Sequence, residues 1–178
     1  MKFFSGKGDK GITSLFGSPK RRKKNDPCFE ALGTIDEVVS FLGICVALAK
    51  NEELSAALEQ IQNNLFIIQA EIGNAGQSKK NKKRISDKKI RELETVIEKY
   101  GKKAGEIKNF IIPGGSTLSA YFDFVRALTR RAERKCVDLN NAMSLNTMAY
   151  LNRLSSLLFV LARYVNKKNG VIEKDPKY

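Results

Sequence analysis

Residues 54–72 read LSAALEQIQNNLFIIQAEI, and this stretch decides the fold. Leu54, Leu58, Ile61, Leu65, Ile68 and Ile72 follow one another at steps of 4, 3, 4, 3 and 4 residues. A helix puts all six on one face, so the stretch predicts an amphipathic helix with one side buried. Towards the N-terminus, Asp26-Pro27 supplies a helix start, with Asp as N-cap and Pro at the first helical position, where its missing N–H costs nothing. Leu32, Ile35, Val38, Val39, Leu42 and Val46 then recur at helical spacing until Lys50-Asn51.

Towards the C-terminus the stripe stops near Gly73-Asn74-Ala75-Gly76, and a polar, basic loop follows over 78–84. A third helix starts at Ser86 or Asp87 and carries Ile90, Leu93, Ile97 and Tyr100 before Gly101. Phe110-Ile111-Ile112-Pro113-Gly114-Gly115 is a short apolar segment turned by Pro-Gly-Gly. Ser116 caps a fourth helix with an inner face of Leu118, Phe122, Val125, Ala132, Cys136 and Leu139, and Asn140-Asn141 breaks it. The fifth runs from about Leu145 to Asn166 on Met148, Leu151, Leu154, Leu158, Leu161 and Val165. Sustained period-two alternation and internal repeats are both lacking. The pattern predicts an all-α protein, a five-helix up-and-down bundle over 26–168, with short connections. Residues 1–25, with Gly6, Gly8, Gly11, Gly17 and Pro19 among many charges, form an irregular glycine-rich arm; 169–178 is a tail. The 178 residues read as a single domain.

Charge and residue usage narrow the chemistry. Thirty-two Lys and Arg against 19 Asp and Glu leave a net charge of +13, which calls for an anionic partner: nucleic acid, an acidic membrane surface or a polyphosphate. Histidine is lacking altogether, which excludes His acid/base catalysis, Ser-His and Cys-His dyads, and Cys/His zinc sites. Cys28, Cys45 and Cys136 are odd in number and far apart, so they read as buried small hydrophobes in a reducing compartment. Residues 1–8 have no apolar core of a signal peptide. The densest apolar run, 157–162, is far shorter than the roughly 20 residues that span a bilayer. These features predict a cytoplasmic protein that does not enter the membrane.

Gly6-Lys7-Gly8-Asp9-Lys10-Gly11 matches the G-x-G-x-x-G dinucleotide fingerprint, but only five residues precede it and no helix opens behind it. Two readings stay open: a flexible tail, or a cradle in which backbone N–H groups, Lys7, Lys10, Thr13 and Ser14 wrap phosphates. The runs 20–24 and 79–84 are basic, as a solvated surface or as an anion-binding patch; they lack interleaved aromatics, which makes nucleic acid an unlikely partner. In the fourth helix Arg126, Arg130, Glu133 and Arg134 share a face, with Arg131 beside them. A solvated face laced by Arg–Glu pairs is one reading. The preference for Arg over Lys also suits bidentate recognition of phosphate or carboxylate. Asn152-Arg153 interrupts the apolar stripe of the fifth helix, as a specificity device or a ligand contact. Asp36, flanked by apolar residues, needs a cation, for which Arg126 is a candidate within or between subunits.

Together these pieces resemble one family. Ser5-Gly6-Lys7-Gly8-Asp9-Lys10-Gly11 is similar to the T-x-x-G-D-x-G arm of the PduO-type ATP:cob(I)alamin adenosyltransferases. Residues 29–37 resemble their A-x-G-x-x-D-E-L motif, and 110–115 their F-x-L-P-G-G. Arg126 with Arg130-Arg131-Ala132-Glu133-Arg134 matches R-x-x-x-R-R-A-E-R, and 150–155 resembles Y/F-L-N-R-L-S. The five motifs keep their order over residues 5–166.

The resemblance implies a homotrimer of five-helix bundles that transfers the 5′-deoxyadenosyl group of ATP to cob(I)alamin, giving adenosylcobalamin and triphosphate, with Mg²⁺ on the phosphates. ATP would lie between Ser5, Gly6, Lys7, Gly8, Thr13, Ser14 and Lys24 of one subunit's arm and Arg130, Arg131, Ala132, Glu133, Arg134 and Asn152 of its neighbour. Asp36 and Arg126 would pair across the interface at the cobalamin site, and Phe110 would crowd the lower axial face of the corrin. A reductase and an adenosylcobalamin-dependent enzyme are the implied partners. The chain departs from the family at Asp123, where His is frequent, at Ser156, where an Asp is usual, and at Ser5, where Thr is usual. Its arm is one residue longer, so Lys23 competes with Lys24 for the phosphate role. Two rival readings follow: a basic helical binding module, and a family member that carries ATP or adenosylcobalamin without turnover.

Overall fold

The computed structural model describes residues 3–15, 18–74, 83–139 and 142–177, and among these it is helical with one small hairpin. The helices are α1 (Pro27–Leu48), α2 (Glu52–Gly73), α3 (Asp87–Ala104), α4 (Thr117–Val137) and α5 (Leu145–Lys168). Most of the basic loop before α3, and Asn140-Asn141 before α5, lie outside the described residues.

Side-chain caps start four of the five helices; Ser86, before α3, makes no such bond. Asp26 accepts the Cys28 N–H at 3.0 Å with Pro27 in the first turn, and Asn51 accepts the Leu54 N–H at 2.9 Å. Ser116 and Ser144 do the same for α4 and α5, leaving fewer N–H groups unsatisfied at each start. The sixfold stripe of α2 is the centre of the core, every member at 3% exposure or less. Closest packing sets α1 between α2 and α4, and α5 between α4 and α3. Polar links lock α2 to α5: Asn64 donates to the Tyr150 hydroxyl at 3.0 Å, and buried Glu71 accepts from the Ser144 N–H (2.7 Å) and the Thr147 hydroxyl (2.6 Å). The Glu71 charge thus meets the positive end of α5.

Three expectations change in detail. The third helix does not stop before Gly101 but runs on to Ala104, ending at Gly105 with φ 90°. One glycine costs a helix only about 1 kcal/mol, and the Tyr100–Tyr164 ring contact (5.0 Å, edge-on) holds α3 against α5 there. The arm is not wholly irregular: β1 (Ile12–Ser14) pairs antiparallel with β2 (Arg21–Lys23), in the register Ile12↔Lys23, Thr13↔Arg22, Ser14↔Arg21. The most apolar long element is α1 rather than the 157–162 run, and α1 is long and apolar enough to cross a bilayer. Its apolar residues have another use here, since Ala31, Ile35, Val38, Leu42 and Cys45 are fully buried in the bundle.

Candidate functional site

The hairpin shapes the arm into a bowl. Gly6 and Gly11 adopt positive φ (68° and 71°), and the Asp9 and Gly11 N–H groups bond back to the carbonyls of Gly6 and Gly8. The resulting cavity, about 400 Å³, is lined by Ser5, Lys7, Gly8, Thr13, Ser14 and Arg21. Arg21 donates to the carbonyls of Lys7 and Ile12, stapling the first turn to β1; composition alone presented it as one cation in a basic run. Lys24 donates its N–H to the Gly11 carbonyl at 2.9 Å. Its ammonium lies against Gly8, where a Cβ would come within 3.3 Å of it. Lys23 is the last residue of β2, paired with Ile12. A hairpin therefore follows the G-x-G-x-x-G string, in place of the helix a dinucleotide fold requires.

The second group lies on the outer face of α4 and the neighbouring turn of α5. Arg130 and Arg134 are exposed and have no ion-pair partner among the described residues. Arg131 pairs with Glu37 of α1, and Asn152 donates to Glu133 at 3.3 Å. Ala132 is different: it is fully buried, so its methyl supports this face from beneath and cannot touch a ligand. Ser156 is exposed and bonds back to the Asn152 carbonyl at 3.4 Å.

The third group surrounds a cavity of about 680 Å³, lined by Phe110, Arg126, Ile111, Phe159 and Asp175 among others. Phe110 is 79% exposed, an unusual position for a phenylalanine. Arg126 is half-buried, with its Nε 3.9 Å from Asp123 Oδ1. Asp36 is exposed and accepts from Gln69 at 3.4 Å, so within one chain Asp36 and Arg126 are engaged elsewhere. Sequence reasoning missed the scaffold of this cavity. Asp123 accepts from Arg163 Nη2 at 2.8 Å, and Arg163 Nε lies 2.6 Å from Glu173. Buried Asn166 accepts the Ser116 N–H at 3.0 Å and donates to the Gly114 carbonyl at 2.9 Å. The tail is tied in as well, by Ile112 N–H to the Lys174 carbonyl and Asn109 to Asp175.

Described hydrogen bonds of residues 5–24 stay within the arm or reach the start of α1, and the bowl is lined by arm residues alone, so no described hydrogen bond joins it to the α4 arginines. Among the described residues no cluster of three metal-ligating side chains occurs. Burial pushes the Cys45 and Cys136 thiols up to about 12, and raises Cys28 too, which removes thiolate chemistry. What remains is a bowl lined by lysine, arginine and hydroxyl groups and an exposed arginine face on α4.

The sequence pattern of the cobalamin adenosyltransferase family matches residues 3–165. The chain is 38% identical over 165 residues to a corrinoid adenosyltransferase of Citrobacter freundii, covering 91% of this chain and 93% of that protein. It superposes with a TM-score of 0.91 and 30% identity on a phenylalanine variant of the PduO-type ATP:corrinoid adenosyltransferase of Lactobacillus reuteri complexed with cobalamin and ATP, covering 99% and 97% of the two chains. An arginine-to-lysine variant of an enzyme of that type from the same organism, complexed with ATP, superposes with a TM-score of 0.86 and 32% identity over 98% and 99%. The chain belongs to the cobalamin adenosyltransferase family, among its PduO-type ATP:corrinoid adenosyltransferases.

Proposed function

We propose that the protein transfers the 5′-deoxyadenosyl group of ATP to cob(I)alamin at a site completed between subunits of a homotrimer. The carrying observation is that the bowl is lined by arm residues alone, while Arg130 and Arg134 have no ion-pair partner among the described residues. A neighbouring subunit brings them together. Ser5, Gly6, Lys7, Gly8, Thr13, Ser14 and Lys24 then hold ATP from one side; Arg130, Arg131, Glu133, Arg134 and Asn152 hold it from the other. Arg126 lies one helical turn from Arg130, about 6 Å along α4, so one helix serves both substrates. Asp36 of one subunit meets Arg126 of the next, and Phe110 stands against the lower face of the corrin. The phenylalanine and arginine substitutions in the two solved relatives fall on the residue types assigned here at Phe110 and Arg130.

The chemistry asks little of the protein beyond placement. Co(I) supplies the electron pair of the new Co–C5′ bond, the C5′–O bond breaks, and triphosphate leaves with that pair; cobalt ends two electrons more oxidised. Arg130 and the arm lysines stabilise the departing charge, and the bowl holds C5′ in line with cobalt. A chain without histidine or an ionisable thiol suffices for this. Mg²⁺ arrives as part of the nucleotide: the arm offers hydroxyls and one carboxylate, Asp9, which suits an ion held mainly by phosphate and water. We read 1–25 as the phosphate arm and 26–168 as the bundle of one domain, working in the cytoplasm with a reductase and an enzyme that consumes the product.

The test is anaerobic. Protein, cob(I)alamin, ATP and Mg²⁺ are mixed and the absorbance change to adenosylcobalamin is followed beside Arg130→Ala. Conversion by the unmodified chain, lowered about a hundredfold in the variant, is the expected result. ATP protection against heat without conversion would favour a carrier, and neither would overturn the assignment.

A further inference from the structure

We infer that Asp123 is a positioning residue for corrinoid use, holding Arg126 and the turn behind Phe110 with its two carboxylate oxygens. The inference rests on the assignment of Arg126 and Phe110 to the corrinoid side.

Asp123 is 4% exposed and lies in the inner half of α4. Its Oδ2 accepts from Arg163 Nη2 at 2.8 Å and from the Gly114 N–H at 3.3 Å. Its Oδ1 faces Arg126 Nε at 3.9 Å, and that Nε is buried with no hydrogen-bond partner. Gly114 belongs to the Pro-Gly-Gly turn three residues after Ile111 and four after Phe110. One carboxylate thus touches both elements that border the cavity.

The charges alternate along a line whose two middle members are buried: Glu173, Arg163, Asp123, Arg126. Arg163 is 3% exposed and lies over the Phe159 ring at 5.1 Å, and Phe159 lines the same cavity. A buried guanidinium between two carboxylates is neutralised without Arg126. The charge of Asp123 is therefore shared, and its second oxygen restrains Arg126 from the Nε edge. That leaves the two Nη groups of Arg126 for the cavity and the neighbouring subunit. A planar fork profits from such a restraint, whereas the point charge of lysine would not.

The experiment measures cobalamin and ATP affinities separately on the intact protein, and the fraction of bound cob(II)alamin whose lower axial base is detached, read from its absorbance. Asp123→Asn keeps the shape and loses the charge. Expected are about tenfold weaker cobalamin binding, the effect of removing one negative charge 3.9 Å from Arg126, and a smaller base-detached fraction, with ATP affinity unchanged. Glu173→Gln strips Arg163 of its other carboxylate without touching Arg126; it lowers thermal stability and weakens cobalamin binding less than Asp123→Asn does. On an Arg126→Ala background, Asp123→Asn adds only the smaller loss that passes through the Gly114 turn, because the rest acts through Arg126. If Asp123→Asn weakens cobalamin no more than Glu173→Gln, or the two losses simply add, the inference is overturned. Arg126→Lys answers the question should Asp123→Asn fail to fold: cobalamin affinity equal to the unmodified chain would refute a restrained fork. Failure of the unmodified chain to bind cobalamin would instead overturn the assignment of the site, and this inference with it.

Discussion

The inner stripe of α2 and the outer face of α4 are both helical surfaces with a repeat near seven, yet they are finished in different ways. Every member of the α2 stripe is buried inside one chain. On α4, Arg130 and Arg134 stand exposed without acidic partners among the described residues, one and two turns beyond an Arg126 that faces Asp123 at 3.9 Å. Apolar surface needs only a neighbour of the right shape, which the same chain supplies. Unpaired guanidinium groups need an anion, and none of the described elements provides one. A face complete within the chain reads as stability, and a face left incomplete reads as function.

Substitutions on the two faces should therefore separate stability from activity. Leu65→Ala, in the stripe, is expected to lower unfolding stability by about 3 kcal/mol through lost burial and a cavity. Denaturant unfolding checks this, and adenosyl transfer per folded molecule should stay intact. Arg130→Ala should do the reverse: the drop of about a hundredfold in kcat/KM corresponds to about 2.7 kcal/mol of barrier, with stability within about 0.5 kcal/mol. A variant that loses both together would break the contrast.

Gly115 lies in the turn before α4, against Asn166 of α5, and should show both effects. Its φ is 101°, and an added Cβ would lie 2.5 Å from Asn166 Oδ1. Gly115→Ala should cost about 2 kcal/mol of stability from backbone strain alone and weaken cobalamin binding through the Phe110 segment. Calorimetry beside a cobalamin titration measures the two.

The smallest effect concerns pH. Cys45 and Cys136 rise from 9.0 to about 12 on folding through burial. The folded state holds these protons more tightly, so their contribution is complete below pH 9 and is lost as pH rises towards 12. Melting temperature should fall over that window, and a Cys45→Ala/Cys136→Ala double variant should fall less.

The helices were legible because their signals are local and repeated: the 4-3 stepping of α2, Asp26-Pro27, and the serines before α4 and α5. The hairpin was not, because strands of three residues are too short for alternation to register. Arg130, Arg131 and Arg134 stood out as a helical face, Asp36 as a carboxylate flanked by apolar residues, and Phe110 gained its role through a family motif. Arg21 and Arg163 escaped notice for a different reason. Arg21 lies in a run where every residue is a cation, and only folding shows which one staples the arm. Arg163 lies 40 residues from Asp123, and no spacing rule connects residues that meet only through packing. Ala132 was drawn into the site by its neighbours in the motif, although a one-residue step on a helix turns it through 100° into the core.

The buried thiols carry one more consequence. With all three cysteines pushed upward and no histidine in the chain, the two side-chain types that ordinarily change charge near neutrality are silent. A pH–rate profile recorded near neutrality would then carry no inflection from a histidine or a cysteine, which leaves the nucleotide and the corrinoid foremost among the groups that could shape it.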